Sequence, residues 1–149
     1  MKLAGGWGWK ADDVANYYET TARHHYVRHL GYIRDDDRPA LMAGARALAF
    51  PSHYEGFGLP PLEMLATGGA VIASTAAAHR EVLSSHTRLI DANDQDGWRD
   101  ALLRAATDDD WLKELRHGGG AHAAQFTWDR CAELTAAVYG SVMPRRIAA

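Results

Sequence analysis

The sequence predicts an α/β protein built on a parallel sheet, and three observations carry that prediction. Short β-rich runs alternate with helical stretches along the chain, the order that strands joined by crossover helices require. One run, Ala70-Val71-Ile72-Ala73, has no polar side, as expected of a strand covered on both faces. Connections are short and no linker divides the chain, so a single domain is expected over residues 1–149.

The elements follow in order. Residues 2–6 read as a strand fragment and a turn. Residues 11–24 have helical composition, and Asp12-Asp13 suit a first turn because the helix dipole favours acids there. The stretch from Tyr26 to Ile33 alternates and is rich in β formers, which predicts a strand. Pro39 is a good first-turn residue for a short helix over residues 40–45. A buried strand is expected next, over residues 47–50. A helix over residues 58–67 begins with Pro60-Pro61 and stops at Gly68-Gly69. Residues 70–73 and 87–90 are predicted strands, with a short helix over 79–84 between them. Trp98, Leu102 and Leu103 mark a helix after Asp94. Residues 111–126 hold another around Gly118-Gly119-Gly120, and the last helix runs from Thr127 or Asp129 to about Val142. Trp98, Trp111, Phe126 and Trp128 are expected to pack the late helices onto the sheet, because their large apolar area favours burial.

Composition narrows the function classes. A length of 149 residues buries roughly two thirds of the unfolded surface, enough for a core. With 16 basic and 19 acidic side chains the net charge is −3, which gives no electrostatic reason to expect nucleic acid. The single Cys131 cannot close an intrachain disulfide, so a reduced, cytoplasmic setting is expected, with Cys131 a small buried hydrophobe on a helix. No apolar run approaches the roughly 18 residues of a transmembrane segment. Met1-Lys2-Leu3-Ala4 runs at once into Gly5-Gly6, which makes no signal-peptide core.

In a parallel sheet ligands collect beyond the carboxyl ends of the strands, where loops lead into helix N-termini. The most informative such stretch is Pro51-Ser52-His53-Tyr54-Glu55-Gly56-Phe57-Gly58-Leu59-Pro60-Pro61-Leu62-Glu63. Gly56 and Gly58 let a ligand approach the backbone closely and permit positive φ. Unpaired N–H groups and the positive dipole end of the following helix make an anion cradle suited to phosphate. Glu55 lies before the helix and Glu63 about one turn inside it, its side chain leaning back towards the N-terminus. Carboxylates only accept hydrogen bonds, so such a pair suits sugar hydroxyls on either side of a diphosphate. Glycine–proline loops are also ordinary turn chemistry, and the dipole alone favours Glu near a helix start. Spacing by itself leaves both readings open.

Glu55 through Glu63 resembles the Glu-x7-Glu signature of retaining glycosyltransferases with two Rossmann-like domains (the GT-B fold), in particular the large sucrose-synthase and mannosyltransferase-like family, family 4 or group 1. Leu30-Gly31-Tyr32-Ile33, the stretch from Pro39 to Ser52, Ala66-Thr67-Gly68-Gly69-Ala70-Val71-Ile72, Glu81-Val82 and Phe126-Thr127-Trp128 agree with it. The resemblance covers about residues 3–142, leaving 143–149 as a tail. It implies a Rossmann-like doubly wound parallel sheet with helices on both faces, lacking the family's first strand, and a partial donor-binding domain. The donor implied is a nucleotide-sugar of the UDP- or GDP-sugar type, with no other cofactor and no metal. By position, the first Glu of the signature, which contacts the donor sugar and is the catalytic candidate, is Glu55; the second, which contacts the ribose, is Glu63. The backbone of Gly56, Phe57, Gly58 and Leu59 would lie near sugar and phosphate, and Tyr32, Ile33 and Arg34 beside the nucleobase. The Arg and Lys that hold the diphosphate in the family have no counterpart, Lys10 and Arg34 being the nearest candidates.

With the first strand and the acceptor domain absent from the resemblance, the chain alone is expected to be inactive or nearly so. The missing strand is central in the order 3-2-1-4-5-6. Its slot would be filled by closure of the halves, by a strand from another chain, or by residues 2–6, and open edges make self-association an expectation. A non-catalytic interaction module that pairs with a second polypeptide is the alternative function.

Other motifs are weaker. Gly6-x-Gly8-x-x-Ala11 imitates a dinucleotide fingerprint, but no acid follows at the ribose position about 20 residues on. His25 and His29 have i, i+4 spacing but lie at a predicted helix–strand transition and not on a helix, and His79 and His86 have no partner at ligand spacing; all four read as surface or capping histidines. Ser52 is not in a Gly-x-Ser-x-Gly elbow. Asp108-Asp109-Asp110 before Trp111 reads as the start of a helix rather than a metal site. Arg145-Arg146 is too short for a nucleic-acid patch.

Overall fold

The structure, a computed structural model, describes residues 1–83 and 85–143. It divides into two compact units, Met1–Leu41 and Met42–Ala149, with the division falling inside one short helix.

In the first unit β1 (Lys2–Leu3) pairs in parallel with β2 (Arg28–His29), Lys2 opposite Arg28 and Leu3 opposite His29. Between them run α1 (Asp12–Thr20) and a 3₁₀ turn over Ala22–His24. Asp12 and Asp13 do fall in the first turn of α1. The strand expected from Tyr26 to Ile33 is reduced to two residues. Tyr26 has φ +62° and Gly31 φ +68°, and a left-handed residue on each side ends the extended backbone. Polar and aromatic contacts hold this unit. The His29 N–H donates to the Tyr18 hydroxyl at 3.1 Å, and His29 Nε2 lies 2.7 Å from the Gly5 carbonyl. Trp7 stacks on the His29 ring at 4.2 Å between centroids. Residues 2–3 thus lie beside β2 in a two-stranded sheet. Helix α2 (Arg38–Ala43) begins ahead of Pro39, slightly earlier than expected, and carries the division between the units.

The second unit is the packed one. Its strands β3 (Ala47–Phe50), β4 (Ala70–Ser74) and β5 (Arg88–Ile90) are parallel, in the order β3-β4-β5. All five residues of central β4 are buried, as its unbroken apolar run predicts. Its side chains alternate between two cores. Val71 and Ala73 pack with Leu62, Met64 and Leu65 of α3 (Leu59–Ala66), with Val82 and Leu83 around the end of α4 (Ala77–Val82), and with Ala123 of α7 (Gly119–Ala123). Ala70 and Ile72 pack with Ile90, with Trp98, Ala101 and Ala105 of α5 (Gln95–Thr107), and with Trp111 and Leu112 of α6 (Asp109–Arg116). Helices thus cover both faces. Each fully buried Leu or Ile contributes about 1.5–3 kcal/mol, so this double layer fixes where α3 starts.

Several expectations are corrected. β3 is half-buried with Ala49 exposed, because it lies at the edge of its sheet. The helix expected over residues 111–126 is two, broken where Gly118 turns left-handed at φ +77°. Helix α8 (Trp128–Val142) starts where expected, capped by Thr127, whose Oγ1 accepts from Arg130 N–H at 3.1 Å. It buries no residue, however. Trp128 is 80% exposed and Cys131 is exposed, while Phe126, also exposed, meets the rings of Phe57 and His122 at 5.9 and 5.2 Å between centroids. Ser84 and the tail from residue 144 on, with Arg145 and Arg146, lie outside the described residues. Among the described residues no helix is long and apolar enough to cross a membrane.

Candidate functional site

β3 ends at Phe50 and α3 begins at Leu59, so residues 51–58 form a loop at the carboxyl edge of the three-stranded sheet. Gly58 is the N-cap of α3, with φ 96° and ψ 48°. A Cβ at Gly58 would stand 2.9 Å from Cδ2 and 3.2 Å from Nε2 of His79. Conformation and space both demand glycine there.

The unpaired backbone donors sit slightly ahead of the helix. A helix start leaves its first N–H groups unpaired, but Pro60 and Pro61 carry none. The available donors are the N–H groups of Gly56, Phe57, Gly58 and Leu59, none of which meets an acceptor among the described residues. Four consecutive unpaired N–H groups therefore precede the positive end of a helix, the kind of place at which proteins bind anions. Glu55 and Glu63 bracket it along the chain, and both are half-buried. Glu63 is anchored in the second turn of α3, where its carbonyl accepts from Thr67 N–H at 3.1 Å.

Beneath the loop lies a residue that the sequence reading placed at the surface. His79 is fully buried. It shares a face of α4 with Val82, and with Leu83 just beyond the helix end, both buried. That i, i+3, i+4 spacing was the signal that could have found it. Its Nδ1 lies 3.0 Å from the Ser74 carbonyl and 3.1 Å from Ser74 Oγ, and Ser74 Oγ donates to the Ser52 carbonyl. That bond ties the loop after β3 to the last residue of β4.

In the first unit, Tyr32 is 78% exposed, Ile33 half-buried and Arg34 exposed. Arg34 pairs with Asp36 at 3.5 Å, and its carbonyl accepts from the N–H groups of Asp37 and Arg38. Lys10, at φ +56°, holds its ammonium 4.4 Å over the Trp9 ring.

The remaining candidates resolve into structure. His29 bridges to Gly5 as described, and His86 packs against His122 with ring centroids 4.8 Å apart. Among the described residues no three His, Cys, Asp or Glu side chains are placed to share a metal ion. Asp108 caps α6, accepting from Trp111 N–H at 2.9 Å, and pairs with Arg104 at 2.9 Å. Those contacts, the Trp111 N–H first, hold its carboxyl below the usual carboxylate range. A cavity of about 320 Å³ is lined by Arg88, Gly97, Asp100, Ala101, Arg104 and Trp111. Arg88 is the first residue of β5, so this cavity lies at the amino edge of the sheet, opposite the carboxyl end where such folds bind ligands.

The family described as "Glycosyl transferases group 1" matches residues 4–124. The O-antigen chain mannosyltransferase B of Escherichia coli is 37% identical over 137 residues, covering 92% of this chain and 36% of its own length. A D-inositol 3-phosphate glycosyltransferase of Corynebacterium diphtheriae is 32% identical over 143 residues, covering 93% of this chain and 34% of its own. This chain thus spans about a third of the length of those relatives. HepE from Anabaena, in a crystal structure with UDP-glucose, superposes with a TM-score of 0.80 at 21% identity, covering 95% of this chain and 40% of that one. At that identity the likeness shows a shared fold.

Proposed function

The chain belongs to the group 1 glycosyl transferases, and from that membership we propose that it is the donor-binding C-terminal part of a retaining enzyme that transfers a sugar from a nucleotide-sugar. The observation that carries this reading is the run of four unpartnered N–H groups at Gly56, Phe57, Gly58 and Leu59, held by an obligatory glycine cap and bracketed by Glu55 and Glu63. The cradle holds the diphosphate without a metal, through backbone donors and the helix dipole. Glu63 accepts from the ribose hydroxyls, and Glu55 accepts from the donor sugar at the reacting end. Tyr32, Ile33 and Arg34 are assigned to the nucleobase. The donor is a nucleotide-sugar of the UDP or GDP type, and HepE, of the same fold, is known with UDP-glucose. The acceptor side belongs to another domain or another chain, and isolated residues 1–149 are inactive or nearly so.

A second reading, an interaction module, is favoured by α8. Its apolar residues Leu134, Val138 and Val142 are exposed and recur at four-residue intervals along one face. The two readings are compatible if that face meets the acceptor-side polypeptide.

Calorimetric titration with UDP and with GDP tests the donor site. One of them should bind weakly, and Glu63→Ala should weaken that binding more than roughly tenfold, since a hydrogen bond to a charged group contributes about 1.5–3 kcal/mol. Equal binding by wild type and variant removes Glu63 from the site.

A further inference from the structure

The His79 imidazole is fully buried, yet its Nε2 has no hydrogen-bond partner among the described residues. A buried polar atom without a partner is costly and asks for an explanation. The network identifies what the atom is. The Ser52 carbonyl can only accept, so the Ser74 hydroxyl proton is committed to it. The Ser74 carbonyl can only accept too, so the nitrogen 3.0 Å from it, Nδ1, carries the ring proton. In the neutral ring Nε2 is then the lone-pair nitrogen, an acceptor in need of a donor.

Its place is as informative as its chemistry. The Nε2 edge of the ring lies against Gly58, 3.2 Å from where a Cβ would stand, directly behind the cap of α3. Phosphate oxygens only accept hydrogen bonds and are repelled by a lone pair, whereas a sugar hydroxyl can donate to it. We infer that His79 is a specificity-determining residue of the donor site, its Nε2 accepting a hydrogen bond from a hydroxyl of the donor sugar. This inference rests on the reading of residues 55–63 as the donor site.

The test uses the wild-type 149-residue chain labelled with ¹⁵N at histidine, followed by NMR while UDP-glucose, UDP, GDP-mannose and GDP are added separately. The free chain should show His79 with Nδ1 protonated and Nε2 bare. The nucleotide-sugar of the matching base should shift the Nε2 resonance towards the hydrogen-bonded range, and its parent nucleoside diphosphate should not. His79→Leu should weaken the nucleotide-sugar roughly two- to tenfold and leave the nucleoside diphosphate unchanged, as loss of one neutral hydrogen bond predicts. A nucleotide-sugar that binds without moving Nε2 overturns the inference and leaves the donor site standing. An equal shift with the nucleoside diphosphate, or protonation of Nε2 by it, overturns it in favour of a phosphate contact. Failure of all four compounds to bind removes the donor site and this inference with it.

Discussion

The two units of this chain are held together by different means. Every fully buried apolar side chain from Leu62 to Ala123 belongs to the second unit, where β4 separates two cores. The elements of the first unit bury none completely. It is fastened instead by the Tyr18–His29–Gly5 hydrogen bonds and the stacking of Trp7 on His29. Apolar burial is roughly proportional to area and adds up across a face, whereas a single net hydrogen bond contributes about 0.5–1.5 kcal/mol. The unpaired N–H groups of residues 56–59, proposed to hold the diphosphate, sit on the hard unit, at the start of a helix anchored by Leu62, Met64 and Leu65. The Tyr32, Ile33 and Arg34 loop, assigned to the nucleobase, sits on the soft one. The teaching is that a backbone cradle, whose donors must be fixed within a few tenths of an ångström, needs the core behind it, while a loop offering exposed side chains does not.

The sharpest break of this contrast pairs two substitutions. Leu65→Ala should destabilise cooperative unfolding by about 2–5 kcal/mol, the range for truncating a buried leucine. Tyr18→Phe, which removes the acceptor of the His29 N–H, should cost about 0.5–1.5 kcal/mol. It should speed amide exchange at His29 without changing exchange at Leu65. Chemical denaturation and hydrogen exchange measure both, and equal losses at the two sites would end the distinction between hard and soft units.

A smaller effect concerns acid. The Asp108 carboxyl titrates below its ordinary range in the folded chain because Trp111 N–H and Arg104 favour its charged form. A depressed carboxylate contributes stability that is present above its unfolded value and lost as pH falls through the folded one. Asp108→Asn should therefore lower the melting temperature at pH 7, and the difference from wild type should close below about pH 4, the ordinary carboxylate range. A difference that persists unchanged at pH 3 would assign the effect to capping geometry instead of charge.

Much of this was legible in the sequence, for reasons that differ by element. The run Ala70-Val71-Ile72-Ala73 could only be a strand covered twice, and it is. Pro60-Pro61 before an apolar face marked the start of α3, because proline fits a first turn and nowhere later. The same prolines remove two donors from the first turn, which leaves the N–H groups of residues 56–59, the stretch that the family resemblance had already placed near sugar and phosphate. The length of β2 was illegible, since the left-handed turn at Tyr26, a residue with a β-carbon, has no compositional signature. Exposure along α8 was illegible as well. Periodicity shows that Cys131, Leu134 and Val138 share a stripe, but not whether anything covers it. His79 was legible through its spacing with Val82 and Leu83, and was missed because histidine was weighed as a ligand and not as part of an apolar face.

Amide-resolved NMR of the ¹⁵N-labelled chain during addition of UDP-glucose or GDP-mannose tests the central claim most directly. If a backbone cradle on the hard unit holds the diphosphate, the N–H resonances of Gly56, Phe57, Gly58 and Leu59 should move downfield together, with one shared dissociation constant, as each gains a charged acceptor. Shifts gathered instead around Arg88, Gly97 and Arg104, at the cavity on the amino edge of the sheet, with those four amides unmoved, would contradict it.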